Sequence, residues 1–102
     1  MKTLETLRQQ LSRGEFAFSH HAFKRVVERN ISDTEIRQAG ASAEMIEDYP
    51  DDKYSPSCLL LGFTAQGRPL HIQVSSAEAD LVKIITLYEP DQNEWLDFSQ
   101  RR

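Results

Sequence analysis

The chain has 102 residues, 39% hydrophobic and 27% charged, with a formal net charge of −4. That length suits one core of two packed layers and not two cores, so residues 1–102 are read as a single domain, and the balanced composition excludes a disordered or low-complexity chain. The lone Cys58 excludes an intramolecular disulfide and a multi-cysteine zinc site, and no apolar run approaches the ~20 residues that span a bilayer.

The first predicted element is a helix over Thr3 to Ser12, where Leu4, Leu7 and Leu11 recur at helical spacing and Arg13-Gly14 supplies a stop. Ser19 is a suitable N-cap for a second helix to about Arg29, and Asn30 can close it in a left-handed conformation. Ser32-Asp33-Thr34-Glu35 is a capping box that opens a third helix through about Ala43, with Ile31 and Ile36 placed as its hydrophobic staple. From Met45 the pattern becomes extended. Met45–Tyr49, Ser57–Thr64, Arg68–Ser75 and Leu81–Glu89 read as four strands joined by short turns, which favours an antiparallel meander. The predicted fold class is therefore α+β, three N-terminal helices packed on a four-stranded antiparallel sheet in the order ααα-ββββ. Trp95 and Phe98, after Pro90-Asp91, are expected to tuck against the domain. MKTLETLRQQ has no apolar signal-peptide core, so a cytoplasmic protein without a membrane partner is expected.

The charge is uneven. Residues 1–30 hold six Lys/Arg and three Asp/Glu, net +3, and the rest hold six and thirteen, net −7, which sum to the −4 of the whole. The basic segment holds all but the last two residues of FSHHAFKRVVERNIS. At roughly 100° per residue, with His21 at zero, Arg25 falls near 40° and Arg29 near 80°, whereas Phe23, Val26 and Val27 lie between about 140° and 240°. The expected arrangement is an apolar Phe23-Val26-Val27 face toward the core and a His21-Arg25-Arg29 row facing outward or into a cleft. Two guanidinium groups one turn apart offer paired donors to phosphate oxygens, and a histidine beside them can move a proton near neutral pH. His20, at the border of the apolar face, is read as a capping or half-buried residue, and Lys24 as either an ion-pair partner of Glu28 or a further cation for substrate.

In Leu70-His71-Ile72-Gln73-Val74-Ser75, alternation sends His71 to the face opposite Leu70 and Ile72. Alternation in the last strand puts Thr86 and Tyr88 on the side of Val82 and Ile84. If helices cover one face of the sheet, the other is expected to offer His71 and Tyr88 in an open groove. Cys58, ahead of Leu59-Leu60-Leu61, reads as a small buried hydrophobe. Glu47-Asp48 and Asp51-Asp52 read as a solvated turn, because no EF-hand or H-x-x-x-H spacing accompanies them, and neither a metal nor a cofactor is expected. No P-loop, G-x-G-x-x-G or G-x-S-x-G is present, so nucleotide hydrolysis and serine hydrolase chemistry have no support.

SHHAFKRVVERNIS, IEDYPDDKYSPSCLLLGF, GRPLHIQVS and IITLYEPD together resemble the family filed as domain of unknown function 4258, over most of the chain from Ser19 to Trp95. The family's H-A-x-x-R-x-x-E-R pattern falls on His21, Ala22, Arg25, Glu28 and Arg29, and its P-L-H on Pro69, Leu70 and His71. Members look like relatives of the RelE-like toxins, and some are encoded beside a zinc-ribbon and helix-turn-helix antitoxin of the MqsA type. The resemblance implies a RelE-like fold, RNA as substrate, an antitoxin-like protein as partner, and a metal-independent endonuclease in which the 2′-OH attacks the adjacent phosphate. That reaction needs a base, an acid for the leaving oxygen and cations at the phosphorane. The expected catalytic set is His21, Arg25, His71 and Tyr88, with Arg29 and Lys24 binding substrate. The alternative is a non-catalytic protein-interaction or regulatory domain, including a decayed toxin. Convergence of His21, Arg25 and His71 in one cleft would favour chemistry, and their dispersal would favour binding.

Overall fold

A computed structural model describes residues 1–102. The first helix, α1 (Leu4–Ser12), is N-capped by Thr3, whose hydroxyl accepts from the Thr6 amide at 3.2 Å. It ends at Arg13, followed by Gly14 at φ 77°, a left-handed turn that favours glycine. The next segment, Phe16–Phe18, is a strand, β1. Ser19 then caps α2 (His20–Glu28), and Asn30 follows at φ 52°. Ser32 and Glu35 form the reciprocal capping box of α3 (Asp33–Ala41), with bonds of 3.1 and 3.0 Å. Ile31 and Ile36 both enter the core.

The strands β2 (Glu44–Tyr49), β3 (Ser57–Phe63), β4 (Pro69–Ser75) and β5 (Val82–Tyr88) form the expected antiparallel meander. The sheet nevertheless has five strands, in the order β1-β5-β4-β3-β2, with β1 parallel to β5 in the register Phe16↔Val82. A second, two-stranded sheet joins β6 (Trp95–Leu96) to β7 (Gln100–Arg101). These strands correct the expected ααα-ββββ order and four-stranded sheet. Phe-Ala-Phe is too short to show a period, and its pairing partner lies far along the chain.

The helices pack on one face of the large sheet. Their Leu7, Leu11, Ala22, Ile36 and Ala39 form one core with Cys58, Leu60, Leu70, Ile72, Val74, Val82, Ile84 and Leu87. Gly62 sets the distance between α3 and β3, because a methyl group at this position would overlap the carbonyl of Ala39. Register slips between Gln73 and Val74, whose partners are Thr86 and Ile84, leaving Ile85 as a bulge. The bulge lets Ile84 and Leu87 both face the core and turns Tyr88 to the other side, against the expectation that Tyr88 would follow Val82 and Ile84.

β1 pairs only with Val82–Ile84, so the far half of β5 is an open edge. Side chains satisfy its carbonyls: Ser19 Oγ donates to Ile85 O at 3.0 Å, and Arg29 Nη1 donates to Leu87 O at 2.6 Å. An edge treated this way offers few free groups to another strand.

Candidate functional site

The helix-free face of the sheet holds a polar cluster drawn from four strands. His71 of β4 stands opposite Tyr88 of β5 in the ladder, and its Nδ1 lies 3.2 Å from the Tyr88 hydroxyl. Its Nε2 lies 2.5 Å from the carbonyl oxygen of Phe98. The Trp95 ring packs edge-on against the imidazole, with centroids 4.4 Å apart, and His71 is fully buried. On the same face, across β3, Glu47 of β2 accepts from the Tyr49 hydroxyl and from Arg101 Nε and Nη2, at 2.8 and 3.1 Å for the two arginine bonds. The Arg101 guanidinium in turn sits 4.6 Å above the Trp95 ring. Trp95–Arg101 thus lies as a hairpin over the sheet, with Asp97 and Phe98 at φ 51° and 63° in the turn that aims the Phe98 carbonyl at His71.

These contacts set the proton affinities. Burial pushes the His71 imidazole below its usual range, with the Phe98 carbonyl pulling the other way. The hydrogen bonds from Arg101 hold the Glu47 carboxyl below the usual carboxylate range, so it is ionised at neutral pH. Burial raises both Tyr88 and Tyr49, which keeps them protonated donors. Cys58, on the core side, is pushed up to about 11 by burial, in keeping with its reading as a small hydrophobe.

The expected site residues do not all meet. His71 and Tyr88 do, but beneath the hairpin and not in an open groove. His21 is exposed on the first turn of α2, in the layer on the opposite side of the sheet from His71. Arg25 is spent on Glu28, 2.7 Å away, while its Nε is buried without a partner. Lys24 is exposed, and Glu28 pairs with Arg25 instead. The orientation expected for α2 is also corrected. Phe23 and Val27 are 60% and 67% exposed, and Ala22 is the residue buried, with Val26 partly so. The small Ala22 lets the helix approach β5 closely, and that contact turns the Phe23–Val27 side outward.

Arg29 alone links α2 to the cluster, its guanidinium 5.9 Å from the centre of the Tyr88 ring. The two residues line an open cleft of about 440 Å³ with Arg68, Glu89, Asp91 and Glu94. Arg68 is already held by Glu89 at 2.8 Å, by Glu35 at 3.0 Å and by the carbonyls of Asn30 and Arg29. With three carboxylates against two guanidinium groups, one of them fully engaged, this cleft repels phosphate more than it attracts it.

Glu47, Tyr49, Trp95 and Arg101 were not expected at the site. Glu47 resembles part of an acidic turn in the sequence, and Arg101 lies 54 residues from its carboxylate partner. The alternation of Glu47 and Tyr49 in one strand, which sets both on the same sheet face, was the one available signal.

The architecture and site define an α+β domain with a histidine-centred polar cluster on the helix-free face of its sheet, closed by a C-terminal hairpin. The chain belongs to the family described as Domain of unknown function (DUF4258), whose model matches residues 18–89. No curated protein and no solved structure matches it. The matched region carries Glu47, Tyr49, His71 and Tyr88 but stops short of the hairpin. No helix is long and apolar enough to cross a membrane.

Proposed function

We propose that the protein is a metal-independent ribonuclease of toxin type whose working groups are those of the polar cluster. The observation that carries this reading is that an ionised carboxylate, Glu47, and the His71 imidazole share one sheet face, with β3 between their strands, and that a tyrosine hydroxyl bonds each of them. Glu47 takes the proton of the 2′-OH as the oxygen bonds to phosphorus. The bond from phosphorus to the 5′-oxygen breaks, and His71, as imidazolium, protonates that oxygen. Tyr88 donates a hydrogen bond to the phosphorane. The products are a 2′,3′-cyclic phosphate and a 5′-hydroxyl. RNA reaches His71 only once the hairpin has lifted from it. Lifting also removes the burial that keeps the imidazole neutral. An antitoxin-like protein, implied by the family resemblance, is the partner proposed with this activity.

The test is incubation of purified protein with single-stranded RNA in a chelator. Wild type is expected to yield cyclic-phosphate ends, and His71→Ala and Glu47→Gln to lose them. Intact RNA in all three samples, also after Trp95→Ala has loosened the hairpin, overturns the reading.

The second reading is a non-catalytic protein-interaction domain. The dispersal of His21, Arg25 and His71 favours it, as does the apolar Phe23–Val27 pair left exposed one turn apart on α2. It predicts intact RNA throughout.

A further inference from the structure

The same helix-free face continues, beyond the hairpin, into a second pocket of about 260 Å³ lined by Ser19, Asp52, Tyr54, Ser55, Ser75 and Lys83. We propose that this pocket is a subsite for one ribonucleotide of single-stranded RNA, an inference that rests on the ribonuclease reading and assigns the strand's path to His71.

The pocket is built rather than incidental. Ser55 and Ser75 share a hydrogen bond of 2.8 Å between their hydroxyls, and Ser75 also accepts from the Ala77 amide at 3.2 Å. Ser57, fully buried, donates to Asp52 Oδ2 at 2.8 Å and accepts from Gln73 Nε2 at 3.3 Å, so the Asp52 carboxylate is held in place by the sheet. Lys83 is exposed and has no carboxylate within ion-pair distance. Tyr54 is 89% exposed, its ring accompanied only by the Lys53 ammonium at 5.5 Å.

The mixture of groups selects the ligand. A bare anion is disfavoured by Asp52, and a cation by Lys83. A ribonucleotide satisfies both, because its sugar hydroxyls donate to Asp52, its phosphate meets Lys83, and its base stacks on the Tyr54 ring. The acceptor at Asp52 gives the site a reason to prefer ribose over deoxyribose, since the 2′-OH is a donor that DNA lacks. Ser75 and His71 point to the same side of β4 four residues apart, ~13 Å along the strand. An extended single strand can therefore run from this pocket toward the cluster. The mixed-charge Arg29 cleft offers no comparable phosphate contact.

Adenosine 5′-monophosphate is the probe, because it has no internucleotide bond and its binding is independent of cleavage. In the full-length protein, millimolar adenosine 5′-monophosphate is expected to shift the amide resonances of Tyr54, Ser55, Ser75 and Lys83. Tyr54→Ala and Lys83→Ala, both at exposed positions, are each expected to weaken binding about tenfold without changing the melting temperature. Deoxyadenosine 5′-monophosphate should bind more weakly, and Asp52→Asn should erase that difference. No shifts at these residues, or equal shifts with inorganic phosphate alone, overturn the subsite. If the mononucleotide binds here but RNA is never cut, the subsite stands and the nuclease reading falls. If RNA is cut equally by wild type, Tyr54→Ala and Lys83→Ala, with no nucleotide shifts, the subsite falls and the nuclease reading stands.

Discussion

His71 donates from Nε2 to the carbonyl of Phe98 at 2.5 Å, and this bond fixes the protonation of the buried ring. A carbonyl oxygen only accepts, so Nε2 carries the proton, and Nδ1 must accept from the Tyr88 hydroxyl at 3.2 Å. At neutral pH the ring is expected to be the neutral Nε2–H tautomer, and its ¹⁵N shifts report that directly. Tyr88→Phe leaves Nδ1 buried without a donor and should cost about 1–3 kcal/mol in urea unfolding. An Nδ1–H tautomer, or an imidazolium at neutral pH, contradicts the hydrogen-bond scheme.

Acid should loosen the hairpin. Burial holds His71 below its ordinary value of 6.5, so the unfolded chain takes up this proton first as the pH falls. The stability associated with neutral His71 is full above 6.5 and declines on acidification, until the pH passes below the folded value. Glu47 is held below its ordinary 4.5, chiefly by Arg101, and its contribution is present above 4.5 and lost as the pH falls through the folded value. Both losses run in one direction, with histidine first. The melting temperature is expected to drop between about pH 7 and pH 5, with a flatter upper part of that window in His71→Gln. An unchanged slope in the variant assigns the effect to another group.

Local signals in the sequence were readable because both partners lie within a few residues. The Ser32–Glu35 capping box, the Ser19 cap and the left-handed Asn30 are of this kind. The parallel pairing of Phe16–Phe18 was not readable, since Val82–Ile84 must first be brought alongside by the whole meander. The bulge at Ile85 has no sequence signature, and a period-two reading of β5 necessarily put Tyr88 on the wrong face. At the site, His71 and Tyr88 were legible as polar residues among apolar strand positions. Glu47 and Arg101 were not, because their pairing depends on where the tail folds. The helical wheel of α2 misled in its orientation, since it equated apolar with buried whereas Ala22 sets the contact.

Trp95 holds the hairpin over His71 and is itself only 3% exposed. Trp95→Ala should cost about 3 kcal/mol. It should also raise the His71 titration midpoint toward that of an exposed histidine, because water reaches the ring once the indole is gone. Histidine Cε1–H resonances followed across pH check the second effect separately from the first. A destabilised protein whose His71 still titrates low means that something other than Trp95 shields the ring.

Gly62 is required by packing, not by its backbone angles. A methyl group there meets the Ala39 carbonyl, which is main chain of α3 and cannot rotate away. Gly62→Ala should therefore destabilise by about 2 kcal/mol through overpacking. Gly67, at φ 87° with open space around it, lies in a turn, so Gly67→Ala is penalised by backbone strain alone, by about 1 kcal/mol. Equal melting of Gly62→Ala and wild type would mean that α3 sits farther from β3.

The orientation of α2 gives a contrast between two substitutions on one helix. Ala22 is fully buried in the core, whereas Val27 is 67% exposed. Ala22→Asp places an uncompensated charge in an apolar interior and should cost more than about 3 kcal/mol, or prevent folding. Val27→Asp meets water, and its penalty is limited to the unfavourable interaction of a negative charge with the helix C-terminus, about 1 kcal/mol or less. The Val27 variant is expected to melt within a few degrees of wild type while presenting a less apolar surface. The reverse order of the two costs would place the Phe23–Val27 side against the core, and the exposed apolar pair that favours a protein partner would no longer exist.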